Sequence, residues 1–210
     1  MVGKFITFEG SDGSGKTSVL QEIVKLMQSQ NNTDFILTRE PGGNKISEEI
    51  RNVILDKSNQ AMDARTEALL YAAARRQHLV ETILPALAAN QVVLCDRFVD
   101  SSLAYQGAGR DLGMQEVYEM NLFATDGLQP DLTIYFDLEP EVGLARIKGH
   151  RQDEVNRLDE ESLHFYQKVH DAYVQLADQE QARIVVVDAS QPFADVVADV
   201  VAILKAKSIL

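Results

Sequence analysis

The 210-residue chain carries a formal net charge of −12 with 25% charged residues. It therefore lacks the positive surface that a general affinity for nucleic acid or anionic membranes requires, and phosphate must be met locally by a loop and a few arginines. Its 45% hydrophobic content suits a core large enough for one domain over 1–210 with a mobile appendage, too short for two independent domains. The single Cys95 excludes an internal disulfide and fits a reducing cytoplasm; it lies in an apolar run, so the reading is buried packing. The N-terminal stretch shows no cleavable signal, and no apolar run reaches membrane-spanning length.

In chain order, the apolar strand Phe5 to Glu9 feeds Gly10-Ser11-Asp12-Gly13-Ser14-Gly15-Lys16-Thr17, which fits G-x-x-x-x-G-K-[ST] at every fixed position, the pattern of a phosphate-binding loop. Its backbone amides and the N-terminus of the next helix converge on one point. Lys16 is expected to reach the β/γ-phosphates and Thr17 to ligate Mg²⁺. Val19, Ile23, Leu26 and Met27 recur at helical spacing, and Asn31-Asn32-Thr33 ends that helix. Asp34 to Thr38 reads as a second strand, with Arg39-Glu40-Pro41-Gly42-Gly43 at its C-terminal end. Asn44 then caps a helix striped by Ile46, Ile50, Val53 and Ile54.

From Asp63 to about Ala89 runs a longer helical pattern, bent near its end by Pro85; Tyr71, Arg75 and His78 share one face of it. Gln91 to Cys95 is a continuous apolar run ending in Asp96-Arg97, as expected of a buried parallel strand with functional groups at its tip. Ser101 to Gly107 reads as a short helix and Met114 to Ala124 as another. Leu132 to Phe136 is a fourth strand, and Glu139-Pro140 starts a helix. A polar segment over about 148–159, holding Lys148, His150, Arg151 and Arg157, reads as a mobile lid. Helical periodicity resumes from Ser162 to Ala177; Ile184 to Asp188 is a fifth strand, and Ala189-Ser190-Gln191-Pro192 leads into a final helix.

Short apolar strands alternating with helices imply a five-stranded parallel sheet covered on both faces, a three-layer α/β fold of the phosphate-loop NTPase type. Such a sheet sets Glu9, Arg39, Asp96, Asp137 and Asp188 along one edge, where open α/β sheets bind their ligands. The chain has no N-K-x-D element and no D-x-x-G at a suitable distance beyond the loop, which argues against a GTPase. The Asp-tipped third strand can help place Mg²⁺ through water.

Phe8-Glu9-Gly10, Asp12 within the loop, Thr38 to Gly43, Tyr71-Ala72-Ala73-Ala74-Arg75, and Asp96-Arg97-Phe98 with Ser101, Ala104, Tyr105, Gln106 and Gly107 together resemble the thymidylate kinase family over essentially the whole chain. The resemblance implies ATP-dependent phosphorylation of dTMP to dTDP with Mg²⁺ in a homodimeric cytoplasmic enzyme. It implies that Gly10, Ser11, Asp12, Gly13, Ser14, Gly15, Lys16 and Thr17 bind ATP. Asp12 would accept from the sugar 3′-hydroxyl, Arg39 would hold the acceptor phosphate, Tyr71 would stack on thymine and Arg75 would bond its O4. Arg97 would bridge the two phosphates, with Asp96 orienting it or holding metal-bound water. Ser101, Tyr105 and Gln106 would line the nucleoside pocket, Gln106 bonding the base edge and Tyr105 screening the 2′ position. In such enzymes a catalytic arginine comes from the loop or from the lid. Gly13 occupies the loop position here, so the expectation moves to Arg151, then Arg157, with Lys148 a third option. Adenine would sit near Ala189-Ser190-Gln191-Pro192. Another nucleoside monophosphate or small-metabolite kinase, or a non-catalytic ATP-binding regulator, is the alternative reading of the same residues.

Overall fold

The computed structural model describes residues 3–30, 34–150, 157 and 161–210. Parallel strands β1 (Lys4–Glu9), β2 (Phe35–Arg39), β3 (Val92–Asp96), β4 (Leu132–Asp137) and β5 (Ile184–Asp188) form one sheet of order β2-β3-β1-β4-β5. The helices are α1 (Lys16–Ser29), α2 (Lys45–Leu55), α3 (Ala64–His78), α4 (Leu84–Ala88), α5 (Val99–Ser102), α6 (Met114–Thr125), α7 (Pro140–His150), α8 (Leu163–Gln179) and α9 (Phe193–Ala206).

Strand alternation assigns the two faces. Ile6, Phe8, Leu94, Ile134 and Phe136 pack against Val19, Leu20 and Ile23 of α1 and Val196, Val200 and Leu204 of α9. On the opposite face Phe5, Val93 and Cys95 meet Leu79, Ile83 and Phe98, while Tyr135 meets α8 through Val169, Ala172 and Tyr173. Each such large apolar side chain contributes roughly 1.5–3 kcal/mol by leaving water. Cys95 is fully buried, and burial first, then nearby Glu40, pushes its thiol well above the ordinary range.

The long helical pattern from Asp63 is one rod with a widened five-residue turn at Leu79–Ile83 before α4. Pro85 lies just beyond that turn; it has no N–H for the preceding turn and its ring crowds the carbonyl before it, so the irregularity falls N-terminal to the proline. Asp63 caps the rod by accepting from the Arg65 and Thr66 amides at 2.9 and 3.1 Å. The expected short helix at 101–107 is α5 followed by a widened turn, Leu103–Gly109. Of the lid stretch, α7 covers the part up to His150 and Arg157 is described, whereas Arg151 lies outside the described residues. Among the described residues no helix is long and apolar enough to cross a membrane.

Candidate active site

Because all strands are parallel, β1, β2 and β3 deliver Glu9, Arg39, Asp96 and then Arg97 to one edge, with Arg39 and Phe8 each in register with Asp96. The phosphate loop leaves β1 at that edge. Lys16 lies across the loop and donates to the Gly10 and Ser11 carbonyls, both at 2.9 Å, and to Ser14 Oγ at 3.3 Å. Gly13 has φ +80°, and a Cβ there would stand 2.3 Å from the Gly143 carbonyl oxygen of α7. The loop position that could carry an arginine is thus closed by backbone on both counts.

Thr17 Oγ1 donates to Asp96 Oδ2 at 2.8 Å. The other oxygen, Asp96 Oδ1, is buried without a hydrogen-bond partner among the described residues. A hydroxyl beside a half-satisfied carboxylate is a hard oxygen pair that suits Mg²⁺, an ion that keeps several waters and takes the rest of its shell from phosphate. The described residues hold no cluster of three or more His, Cys, Asp or Glu that could bind a metal unaided.

Arg97, at φ 71°, turns its guanidinium into a knot of acceptors. It donates to Asp12 Oδ1 at 2.9 Å, Ser101 Oγ at 3.0 Å, Tyr105 OH at 3.3 Å and Tyr173 OH at 3.4 Å, and lies 5.0 Å above the Tyr105 ring. Tyr105 in turn donates to Asp12 Oδ2 at 3.0 Å. Burial pushes the Asp12 carboxyl up, but Arg97, Lys16 and the Tyr105 hydroxyl outweigh it and hold the group down at about 2. Behind this layer the fully buried Glu9 accepts from the Phe98 amide at 2.6 Å, Ser101 Oγ at 2.5 Å and Tyr173 OH at 2.9 Å. Burial and then Asp100 raise its carboxyl above the usual range. Ser101 donates to Glu9 while accepting from Arg97, so it steers the arginine as well as lining the cavity.

A cavity of about 300 Å³ opens onto Asp12, Lys16 and Thr17 at one end and Tyr71, Arg75 and Gln106 at the other, with Arg39, Asp96, Arg97, Ser101 and Tyr105 between. Every acceptor-side residue expected from sequence lines it. Arg75 is 2% exposed and fully engaged on its inner side: Nε donates to Glu40 Oε2 at 2.7 Å, one terminal nitrogen to Ser102 Oγ at 3.1 Å and to Asn121 Oδ1, and the other to the Phe98 carbonyl at 3.0 Å. Glu40 Oε1 pairs with His78 Nδ1 at 2.9 Å, and His78 Nε2 with Thr38 Oγ1 at 2.6 Å. Gly43 packs on that imidazole so closely that a Cβ would stand 2.6 Å from it. Arg39 is half exposed and pairs with both oxygens of Glu48 at 2.8 and 3.0 Å.

Four residues escaped the sequence reading. Arg51 lines the cavity and donates to the Pro41 carbonyl at 3.0 Å. Glu40, the residue after β2, and Asn121, within α6, hold Arg75. Glu67 extends the Tyr71–Arg75 stripe one turn earlier and accepts from Gln106 Nε2 at 2.9 Å. That stripe was the one available signal; the other contacts join segments that only the topology brings together. Arg157 departs from its expected place at the phosphates: it does not line this cavity, but donates to Glu67 and to the Ile54 carbonyl at 3.0 Å.

On the other side of the loop, a second cavity is lined by Asp12 to Val19, Arg146, Ile147, Ala189, Gln191 and Phe193. Arg146 donates to the Ala189 carbonyl at 3.2 Å and the Gly13 carbonyl at 3.4 Å, tying the expected adenine corner to the phosphate loop.

Residues 8–200 match the family model described as thymidylate kinase. The chain is 63% identical to a thymidylate kinase of Latilactobacillus sakei subsp. sakei over 94% of this chain and 92% of that one. It is 61% identical to one from Pediococcus pentosaceus, covering 97% and 98%. It is also similar to the crystal structure of thymidylate kinase from Ehrlichia chaffeensis, with a TM-score of 0.77 and 31% identity over 97% of this chain and 99% of that one.

Proposed function

The chain belongs to the thymidylate kinase family, an ATP-using kinase that phosphorylates dTMP, and on that premise we propose how its residues divide the work. The observation that carries the proposal is the single cavity joining Lys16 and Thr17 to Arg39, Arg97, Tyr71, Arg75 and Gln106. ATP lies in the cavity beside Arg146, its phosphates on the loop from Gly10 to Thr17 and its adenine near Ala189 to Pro192. The acceptor lies in the other cavity, so the two phosphate ends meet over Asp12, Lys16 and Thr17.

In this reading Tyr71 stacks on thymine, Arg75 donates its remaining N–H to O4, and Gln106 bonds the neighbouring ring N–H. Asp12, kept ionised by Arg97, accepts from the sugar 3′-hydroxyl, and Tyr105 crowds the 2′ side. Arg39 and Arg51 take the acceptor phosphate with their planar forks; Arg39 exchanges Glu48 for it. Arg97 bridges acceptor and transferring phosphates and neutralises charge as the group moves. Thr17 would hold Mg²⁺ with help from Asp96 through water, and the ion would supply positive charge to offset that of the phosphates. Arg151 is the lid cation that completes the charge, with Arg157, once released from Glu67, and Lys148 as the alternatives.

The enzyme works as a single cytoplasmic domain over 1–210. It is a homodimer through the face where α2, α3 and α6 pack side by side and expose Val53, Leu69 and Phe123, the last 90% exposed. A burden of this kind on adjacent helices is what a partner surface covers.

The test is an ADP-release assay with dTMP, dUMP, UMP, CMP, AMP and GMP on wild type and Arg75→Ala. Wild type prefers dTMP, and the substitution raises KM for dTMP with little change in KM for ATP. A change confined to ATP would show that the base pocket has been misassigned.

A further inference from the structure

Glu67, Tyr71 and Arg75 stand one turn apart along the face of α3 that borders the acceptor cavity. Glu67 is 1% exposed, a costly place for a carboxylate. Its partners explain how it is tolerated: Arg110 donates through two nitrogens at 3.3 and 3.2 Å, Arg157 through a third, and the first turn of α3 adds its dipole. Burial alone would raise the carboxyl, yet Arg157, Gln106 and Arg110 together hold it below the usual range. The remaining partner is a neutral one, the Gln106 amide nitrogen at 2.9 Å.

That pairing has a directional consequence. A glutamine amide is nearly the same shape either way round, and flipping it exchanges a donor for an acceptor. An ionised carboxylate can only accept. With Glu67 beside it, Gln106 must turn its nitrogen away from the cavity, which leaves its carbonyl oxygen as the end that meets a bound base. Arg75, which lines the same cavity, can only donate. The wall therefore presents a donor next to an acceptor, the complement of a ring carbonyl next to a ring N–H. Thymine and uracil carry that pair; cytosine carries an amino group next to a bare nitrogen and is mismatched at both positions. Guanine carries the same pair as thymine, so this pattern discriminates among pyrimidines and not against guanine.

We propose that Glu67 is a specificity-positioning residue: by fixing the flip of the Gln106 amide, it sets the pocket to a carbonyl and N–H edge and against an amino and bare-nitrogen edge. The proposal rests on the base-reading role assigned to Gln106 and supplies what sets the sense of that reading. Glu67 touches no substrate atom; it acts through Gln106.

The test uses the full chain and a pair of nucleotides differing only on that edge, dTMP and 5-methyl-dCMP. The readout is the Ki of 5-methyl-dCMP as a competitor divided by the KM for dTMP. In Glu67→Gln the new amide can donate or accept, so Gln106 is free to flip, and the ratio falls by roughly tenfold or more while KM for ATP stays put. Because Glu67→Gln leaves two arginines facing each other, the charge-matched E67Q/R110Q is measured alongside and gives the same fall. Gln106→Ala separates the two levels of the argument. If it leaves the ratio at the wild-type value, Gln106 does not read the base and the proposal falls with that reading. If Gln106→Ala collapses the ratio while both Glu67 variants keep it, Gln106 reads the base unaided and the role of Glu67 alone is overturned. Loss of stability without a change in the ratio would likewise reduce Glu67 to a buried ion pair.

Discussion

Replacing Glu40 separates the support of the base pocket from the pocket itself. Its carboxylate and the Arg75 guanidinium are each 2% exposed, and the same carboxylate holds the fully buried His78. In Glu40→Ala the charge of Arg75 stays buried with only neutral acceptors, Ser102, Asn121 and the Phe98 carbonyl. Breaking one side of a buried pair costs about 3–5 kcal/mol. For a chain of this size each kcal/mol moves Tm by roughly 2–4 °C, so the variant is expected to melt about 6–20 °C below wild type. Arg39 provides a contrast a single residue away: its pair with Glu48 is 50% and 37% exposed, and Arg39→Ala should cost less than about 1 kcal/mol while weakening acceptor binding directly. Scanning calorimetry gives the first quantity and steady-state KM for dTMP the second. Glu40→Ala should also raise KM for dTMP, because Arg75 loses the bond that aims its Nε edge. The double variant E40A/R75M removes the stranded charge and should recover part of the lost stability. Melting within about 2 °C of wild type for Glu40→Ala, or no recovery in the double variant, would refute the claim that Glu40 is there for the charge of Arg75.

Three further outcomes follow from the site. Arg97→Ala should lower kcat by about two orders of magnitude or more with ATP still bound, since it removes charge stabilisation that matters most at transfer; near-wild-type turnover would rule the role out. Burial first, and Arg97 second, push the Lys16 ammonium down to about 8 in the unliganded loop. ATP needs the charged form, so its affinity by titration calorimetry should weaken as pH climbs past about 8; a flat affinity up to pH ~9.5 contradicts this. His170 donates to Asp137 at 2.8 Å, a bond that raises the imidazole and lowers the carboxyl. The histidine's share of stability is full below its unfolded value near 6.5 and fades as pH rises through its raised folded value. The aspartate's share is full above about 3.8 and fades as pH falls through its lowered folded value. His170→Ala should therefore lose most in weakly acidic solution, under about 1 kcal/mol for so open a pair, and less at pH ~9; an equal loss at both would show that the pair does not titrate as described.

The phosphate loop, the strands and the polar tips could be read from the chain because each is local: a fixed spacing of glycines, a mostly apolar run of five or six residues, a charged residue where that run stops. Tyr71 and Arg75 were legible for the same reason, as neighbours on a helical face. What could not be read is whatever Arg75 touches, since Glu40 follows β2, Phe98 and Ser102 bracket α5, and Asn121 lies in α6, three segments far apart in the chain. Glu67 was within reach on spacing, but a carboxylate in a first helical turn more often complements the helix dipole at the surface, and nothing local says that this one is buried. Arg157 gives a second case: its polar, charged stretch reads as a mobile lid, and nothing local says that its guanidinium finds acceptors on α2 and α3.

The two cavities share Asp12, Lys16 and Thr17 in their walls, so the phosphate loop is the partition between them. Strand order makes this so: β1 and β3 are neighbours at the middle of the sheet, and their tips bring the loop and Arg97 to the same seam. At that seam the cations are engaged before any substrate arrives, while Asp96 Oδ1 has no partner among the described residues. Lys16 gives its ammonium donors to Gly10, Ser11 and Ser14, and Arg97 gives its own to Asp12, Ser101 and the two tyrosines. Phosphates arriving there exchange one set of partners for another, and where they replace the carbonyls and hydroxyls on Lys16 and Arg97 they gain because an anion is the better acceptor. Water and neutral molecules cannot offer that gain. Cations whose neutral partners are already in place therefore open chiefly to phosphate, whereas Arg39 starts from the anionic Glu48, so a phosphate displaces that partner only through its larger charge.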